Sequence, residues 1–215
     1  MVNVIYEDDA IIVVHKPAGV ATEAKGVANK DLVSELRTYR KHRNEPAEIF
    51  VVHRLDQPVS GLIVFAKTSH AAAVLSERMR DHEYVKEYKA LGYHSEDVKD
   101  ATLADYLLKD SASNTSRVVS KDTPGAKLAK LKYTVTCSDT NTAKLNILLE
   151  TGRHHQIRVQ LANAGLPILG DQKYGSSESI NLSKGMGLTN VALCACHLTF
   201  CHPETNEKMS FGYGE

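Results

Sequence analysis

The stretch Leu131-Lys132-Tyr133-Thr134-Val135-Thr136-Cys137-Ser138-Asp139-Thr140-Asn141-Thr142-Ala143-Lys144-Leu145-Asn146-Ile147-Leu148-Leu149 alternates apolar and polar side chains twice. Leu131, Tyr133, Val135 and Cys137 stand against Lys132, Thr134 and Thr136, and Ala143, Leu145, Ile147 and Leu149 repeat the pattern. A period of two is the signature of a half-buried strand. The polar residues 139–142 are turn chemistry, so the stretch predicts a β-hairpin.

Working outward, residues 4–6 and 11–14 predict two short strands around Asp8-Asp9. Leu32, Val33, Leu36 and Tyr39 recur at helical spacing behind Asp31, an N-cap residue. Residues 49–52 and 62–66 are apolar runs of strand length joined by the polar segment 53–61. A helix with Val74, Leu75 and Met79 on one face follows, then a strand over 84–92. Residues 152–164 predict a helix with Ile157, Leu161 and Ala164 as its apolar stripe, ended by Gly165 and Pro167. The Ser, Gly and Asn of 175–190 predict a loop, and 191–200 a closing strand. Residues 94–130 are polar and yield no assignment. Helices interrupting several hairpins predict an α+β fold, a mixed and largely antiparallel central sheet flanked by helices. No linker divides the chain, so a single domain over 1–215 is expected.

Apolar residues make up 42% of the 215. A chain of that size buries roughly 70% of its unfolded surface, so the core needs no disulfides. The four cysteines, 137, 194, 196 and 201, form no evenly spaced framework. Without a basic-apolar leader or a long apolar run, the expectation is a cytoplasmic protein with no membrane partner. Twenty-six basic and twenty-six acidic side chains balance to zero net charge. That excludes a histone-like coat of charge but not a local basic stripe able to meet phosphates. Arg37, Arg40, Lys41 and Arg43 form one such patch, Arg78 and Arg80 another, and Arg153 to Arg158 a third. Any one of these taken alone reads as a solvated face.

The chemistry concentrates in Val51-Val52-His53-Arg54-Leu55-Asp56-Gln57-Pro58-Val59-Ser60-Gly61, which sets His, Arg and Asp between two core strands. Loops held by rigid strands are frequent sites of function, although a polar surface turn is an equal reading of this spacing. Cys194-Ala195-Cys196-His197 and Cys201-His202 offer soft ligands. Strand alternation counts against a zinc site, because it sets Cys194 and Cys196 on the core face with Leu198 and Phe200. His154 and His155, about 100° apart on a helix, make a poor metal pair. The chain has no phosphate-binding Gly-x-x-x-x-Gly-Lys loop, no Gly-x-Gly-x-x-Gly and no Gly-x-Ser-x-Gly.

His53-Arg54-Leu55-Asp56 followed by Ser60-Gly61-Leu62 resembles the signature of the RluA-type RNA pseudouridine synthases. The resemblance extends in order from Val4 to Phe211. It takes in Val14-His15-Lys16-Pro17-Ala18-Gly19, Lys86-Glu87-Tyr88-Lys89-Ala90, Thr151-Gly152-Arg153-His154-His155-Gln156-Ile157-Arg158, Gly170-Asp171 with Tyr174-Gly175, and His202-Pro203. It implies an isomerase that breaks the bond between uracil N1 and ribose and rejoins the sugar at C5, with no cofactor and no metal. By the same resemblance Asp56 is the catalytic nucleophile or base, Arg158 its cationic partner, and Tyr88 the ring against the uracil. The target base must leave its stack to be reached, and Arg54 is the residue implied to take its place. Arg153 and Lys16 are candidate RNA contacts. The implied partner is ribosomal or transfer RNA, and the implied state is a monomer. The family's S4-type RNA-binding domain is expected to be absent. A non-catalytic RNA-binding or RNA-folding protein on the same fold is the alternative, and the presence of Asp56, Tyr88 and Arg158 together favours the enzyme.

Overall fold

The computed structural model describes residues 2–24, 31–81 and 83–214. The elements are β1 (Asn3–Glu7), β2 (Ile11–Lys16), α1 (Leu32–His42), β3 (Phe50–Val51), β4 (Ser60–Ala66), α2 (Ser69–Arg80), β5 (Val85–Tyr93), β6 (Ala101–Asp110), β7 (Thr115–Val119), β8 (Lys127–Ser138), β9 (Thr142–Leu149), α3 (Gln156–Asn163), α4 (Ser177–Gly185), β10 (Leu193–Cys201) and β11 (Lys208–Gly212). They form an α+β structure in two compact units, one of residues 1–85 with 195–215, the other of 86–194.

The first unit orders its strands β1-β2-β4-β10, with β11 on β10 and β3 on β4. The β1–β2 and β2–β4 pairs are antiparallel, with Ile11 opposite Ala66 and Lys16 opposite Gly61. Asp8 shapes the first turn, its Oδ1 accepting the amides of Ala10 and Ile11 at 2.8 Å each. One sheet face, with Ile11, Val13, Leu62 and Val64, packs on Ala71 and Leu75 of α2 and on Leu198 and Phe200 of β10. The alternate residues Ile12, Val14, Ile63 and Phe65 are equally buried. Both faces of β2 and β4 are therefore covered, and such strands read as continuous apolar runs. Helix α1 is capped as expected, Asp31 accepting the Ser34 amide at 2.7 Å. On α2 the buried stripe is Ala71 and Leu75, with Met79 packed at its edge, while Val74 lies one position off it.

In the second unit the order is β5-β9-β8-β6-β7, antiparallel throughout. The hairpin over 131–149 is β8–β9, closed by the Asp139 amide on the Thr142 carbonyl at 2.8 Å. A bulge between Val135 and Cys137 turns Cys137 out to solvent, off the apolar face on which alternation sets it. The unassigned 94–130 contains β6, β7 and the start of β8. Strands β6 and β7 lack a clean apolar alternation because polar groups face inward among their apolar ones. Fully buried Gln160 donates to Asp105 at 2.7 Å, and the amide of buried Ser116 donates to the Tyr174 hydroxyl at 2.8 Å.

Three further expectations are corrected. The helix expected over 152–164 starts only at Gln156, because His155 takes a left-handed conformation with φ 53°. His154 therefore precedes the helix and shares no face with Arg158. The loop expected over 175–190 holds α4, capped by Ser176, whose buried face consists of Ser179 and Ser183 instead of apolar residues. In β10, Leu193, Ala195, Leu198, Thr199 and Phe200 are buried while Cys194 and Cys196 are half-buried, so these thiols are not core groups.

Gly61 sits at φ +122°, and a Cβ there would overlap the backbone of Ala195. Gly61→Ala is therefore expected to cost about 2–4 kcal/mol through strain and overpacking, measured as a lower urea midpoint at unchanged slope.

Candidate active site

The loop between β3 and β4 is held from beneath by buried groups. Leu55 is gripped at both ends of its backbone by the buried Thr22 hydroxyl, which donates to the Leu55 carbonyl at 3.0 Å and accepts its amide at 3.2 Å. The Val59 amide donates to the Asp56 carbonyl at 3.0 Å and closes the turn. Leu55 and Val59 point inward, at 6% and 2% exposure. Asp56, between them, is half-buried. His53 accepts the Val64 amide at Nε2, 3.2 Å, which puts its ring proton on Nδ1 in the neutral form.

Lys16 was read as an RNA contact, and the structure corrects this. It is 0% exposed, and its ammonium donates to the carbonyls of Pro17 at 3.0 Å, Val20 at 2.6 Å and Gln57 at 3.0 Å. Three donors meet three acceptors, so no N–H is left for a phosphate. Gln57 adds two more ties to the same turn: its carbonyl accepts the Gly19 amide at 2.9 Å and its side-chain amide donates to the Gly19 carbonyl at 3.0 Å. Burial lowers the Lys16 pKa from 10.5 to about 8, and the charge of Asp56 acts in the opposite direction.

Arg54 is exposed and donates to Glu23 at 2.6 Å. Such surface pairs are held weakly, so the guanidinium can be given up to another anion at little cost. Of the 37–43 cluster only Arg40 is buried, donating to the Glu48 carbonyl at 2.8 Å; Arg37, Lys41 and Arg43 are exposed, and Arg43 pairs with Glu45 at 2.7 Å. Arg78 likewise spends its guanidinium on the carbonyls of Cys201 and His202 and on Asn206.

In the second unit, Tyr88 lies on β5 opposite Ile147, 7% exposed. Lys86, on the same face of β5, has its pKa lowered from 10.5 to about 8 by burial. The sequence reading gave it no role, since nothing local marks a lysine as desolvated. Arg158 is 5% exposed, on the first turn of α3. Its Nε and Nη2 donate in a fork to the Asp171 carboxylate at 2.7 and 2.8 Å. That bidentate geometry fixes the guanidinium plane. Arg153, exposed, anchors its Nε on the Leu128 carbonyl at 2.9 Å. Among the described residues no group of three or more His, Cys, Asp or Glu is placed to hold a metal ion. No helix of these residues is long and apolar enough to cross a membrane.

Residues 10–163 match the RNA pseudouridylate synthase family. The chain belongs to that family. It is 33% identical over 208 residues to the uncharacterized RNA pseudouridine synthase YhcT of Bacillus subtilis, covering 95% of this chain and 66% of that one. It is 30% identical over 221 residues to tRNA pseudouridine synthase C of Haemophilus ducreyi, covering 97% and 88%. A ribosomal large subunit pseudouridine synthase C of Buchnera aphidicola is 30% identical, and this chain spans 65% of its length. Two of these three relatives thus extend beyond the length that this chain spans, by about a third of their own. The solved human RNA pseudouridylate synthase domain containing 4 shares the fold, with a TM-score of 0.77, 22% identity and coverage of 99% of this chain and 88% of that one.

Lys16→Met keeps the stem of the side chain and removes the donors. Leaving the Pro17 and Val20 carbonyls without the ammonium, and Gln57 with the Gly19 amide alone, is expected to cost about 1–3 kcal/mol in urea unfolding. Between pH 8 and 10.5 the folded Lys16 is neutral while the unfolded one still binds its proton. The unfolded state then holds more protons, so this group makes wild-type stability rise with pH relative to Lys16→Met, and the gap between the two widens across that window.

Proposed function

We propose that this protein is an RNA pseudouridine synthase, a single catalytic domain over 1–215 that isomerises specific uridines of ribosomal or transfer RNA. The observation that carries the reading is the Asp56 turn: a half-buried carboxylate on a backbone held by Thr22 and Lys16, within a chain of this family. In the reaction the N1–C1′ bond of the uridine breaks, the uracil turns, a C5–C1′ bond forms, and the C5 proton is lost as N1 gains one. Atoms and electrons balance without a redox partner or group donor, so no cofactor is required.

Asp56 acts as the nucleophile at the sugar or as the base that starts elimination; either splits one difficult step into two. A turn held this firmly does not have to be ordered when substrate arrives, which is where positioning lowers a barrier. Arg158 supplies the cation that pairs with the carboxylate, and Tyr88 the ring on which the extruded uracil stacks. Arg54, released from its surface pair with Glu23, enters the space the base leaves, and Arg153 contacts phosphate. The enzyme works in the cytoplasm as a monomer, with RNA as its partner.

The test is tritium release from RNA labelled at uridine C5, with unmodified ribosomal and transfer RNA pools offered separately. Wild-type protein is expected to release tritium from one pool, and Asp56→Asn to release at least about 10³-fold less, since it removes the reacting group. Release by Asp56→Asn at the wild-type rate would overturn the assignment of the carboxylate. Binding of both pools by folded wild-type protein without release would favour a non-catalytic RNA-binding role.

A further inference from the structure

Behind Arg158 lies a set of contacts for which the reaction as described has no use. The Arg158 guanidinium stands over the ring of Tyr174, 5.1 Å from its centroid. Asp171, 2% exposed, holds the same guanidinium by its Nε–Nη2 edge. Asp171 is itself fixed, since its Oδ1 also accepts the amides of Lys173 at 2.9 Å and Tyr174 at 3.2 Å, and its carbonyl accepts Gly175 N at 3.0 Å. A Cβ on Gly175 would run into that carbonyl, so the turn from Asp171 to Gly175 closes only around a glycine.

The Tyr174 hydroxyl is fastened from two directions. It accepts the Ser116 amide of β7 at 2.8 Å and lies 2.7 Å from His155 Nδ1. Both contacts are of hydrogen-bond length, and the direction of the one to His155 follows the imidazole tautomer. His155 is the residue in the left-handed conformation, which is costly for a non-glycine side chain and repaid only by contacts that need it. Its neighbour His154 joins the same hairpin, with Nδ1 at 2.9 Å from the Ser116 hydroxyl and Nε2 at 3.2 Å from Asn114. Lys173 closes the ring of contacts on the Asn114 carbonyl at 2.9 Å.

We propose that Tyr174 is a positioning residue for the reaction: its ring sets the plane of the Arg158 guanidinium, and its hydroxyl ties that plane to the β6–β7 hairpin and to the turn before α3. This rests on the reading of Arg158 as the cation that serves Asp56. A planar guanidinium held by one edge and one face presents its remaining edge in a single direction, which an ammonium cannot do. The hairpin thereby gains a role in catalysis without touching substrate. Tyr174 acts only through Arg158, so its removal weakens the chemical step and leaves RNA binding alone.

The experiment is a double-mutant cycle read as kcat and KM for pseudouridine formation, with thermal melting to verify the fold. Tyr174→Phe keeps the ring and removes the hydroxyl, and is expected to lower kcat about tenfold with KM changed less than about twofold. Tyr174→Leu, lacking the ring as well, is expected to lose about 100-fold. In an Arg158→Lys background, Tyr174→Phe is expected to cost less than about twofold more, because no plane remains to be set. An equal factor in both backgrounds, or an unchanged kcat in Tyr174→Phe, overturns the proposal. If Tyr174→Phe does not fold, His155→Asn carries the same cycle, since asparagine tolerates the left-handed backbone while losing the imidazole. Absence of activity in the wild type is a different result: it removes the proposed function and this inference with it, whereas an active wild type with additive variants removes the inference alone.

Discussion

The buried ammonium of Lys16 is the contact on which the candidate site rests. A positive charge taken out of water is costly, and it stays in the core only where its hydrogen bonds are replaced. Here the replacements are the carbonyls of Pro17 and Val20 on one chain segment and Gln57 on another. Because three acceptors must converge on one nitrogen, the segment after β2 and the turn bearing Asp56 are held at one separation. The Thr22 hydroxyl, gripping both backbone groups of Leu55, holds the other side of the turn. An aspartate on a flexible surface loop would sample many positions; this one stands on backbone that buried polar bonds over-determine.

The second unit solves a related problem with side chains. Its inward face carries Gln160, Asp105, Ser116, His155, Arg158 and Asp171, groups that would unfold a domain if left unpaired. They are paired with one another and with backbone: Gln160 with Asp105, Ser116 with Tyr174, Arg158 with Asp171. The pairing is extensive without being complete, since the buried Gln160 Oε1 has no hydrogen-bond partner.

Basic residues divide between these two uses. Arg40, Arg78 and Lys16 hold carbonyls and are structural, although by composition they count toward a nucleic-acid surface. Arg37, Lys41, Arg43, Arg54 and Arg153 are exposed.

Period and punctuation alone determined much of this protein. The β8–β9 hairpin, the Asp31-capped α1, the doubly buried runs of β2 and β4, and the His53–Gly61 loop with its family signature were all legible, because each is written in local spacing or in a motif. Helix α4 and strands β6 and β7 were not, since what they bury is Ser179 and Ser183 in α4, Leu107 alone in β6 and Ser116 in β7, too little apolar pattern to mark an element. Nor could spacing reveal that His155 would break the helix register, that Lys16 would be buried, or that Asp171 and Tyr174 would close around Arg158. Those outcomes depend on which polar groups meet in three dimensions. A local pattern records whether a residue prefers water; only the tertiary structure decides whether a polar residue inside finds the partner that lets it stay.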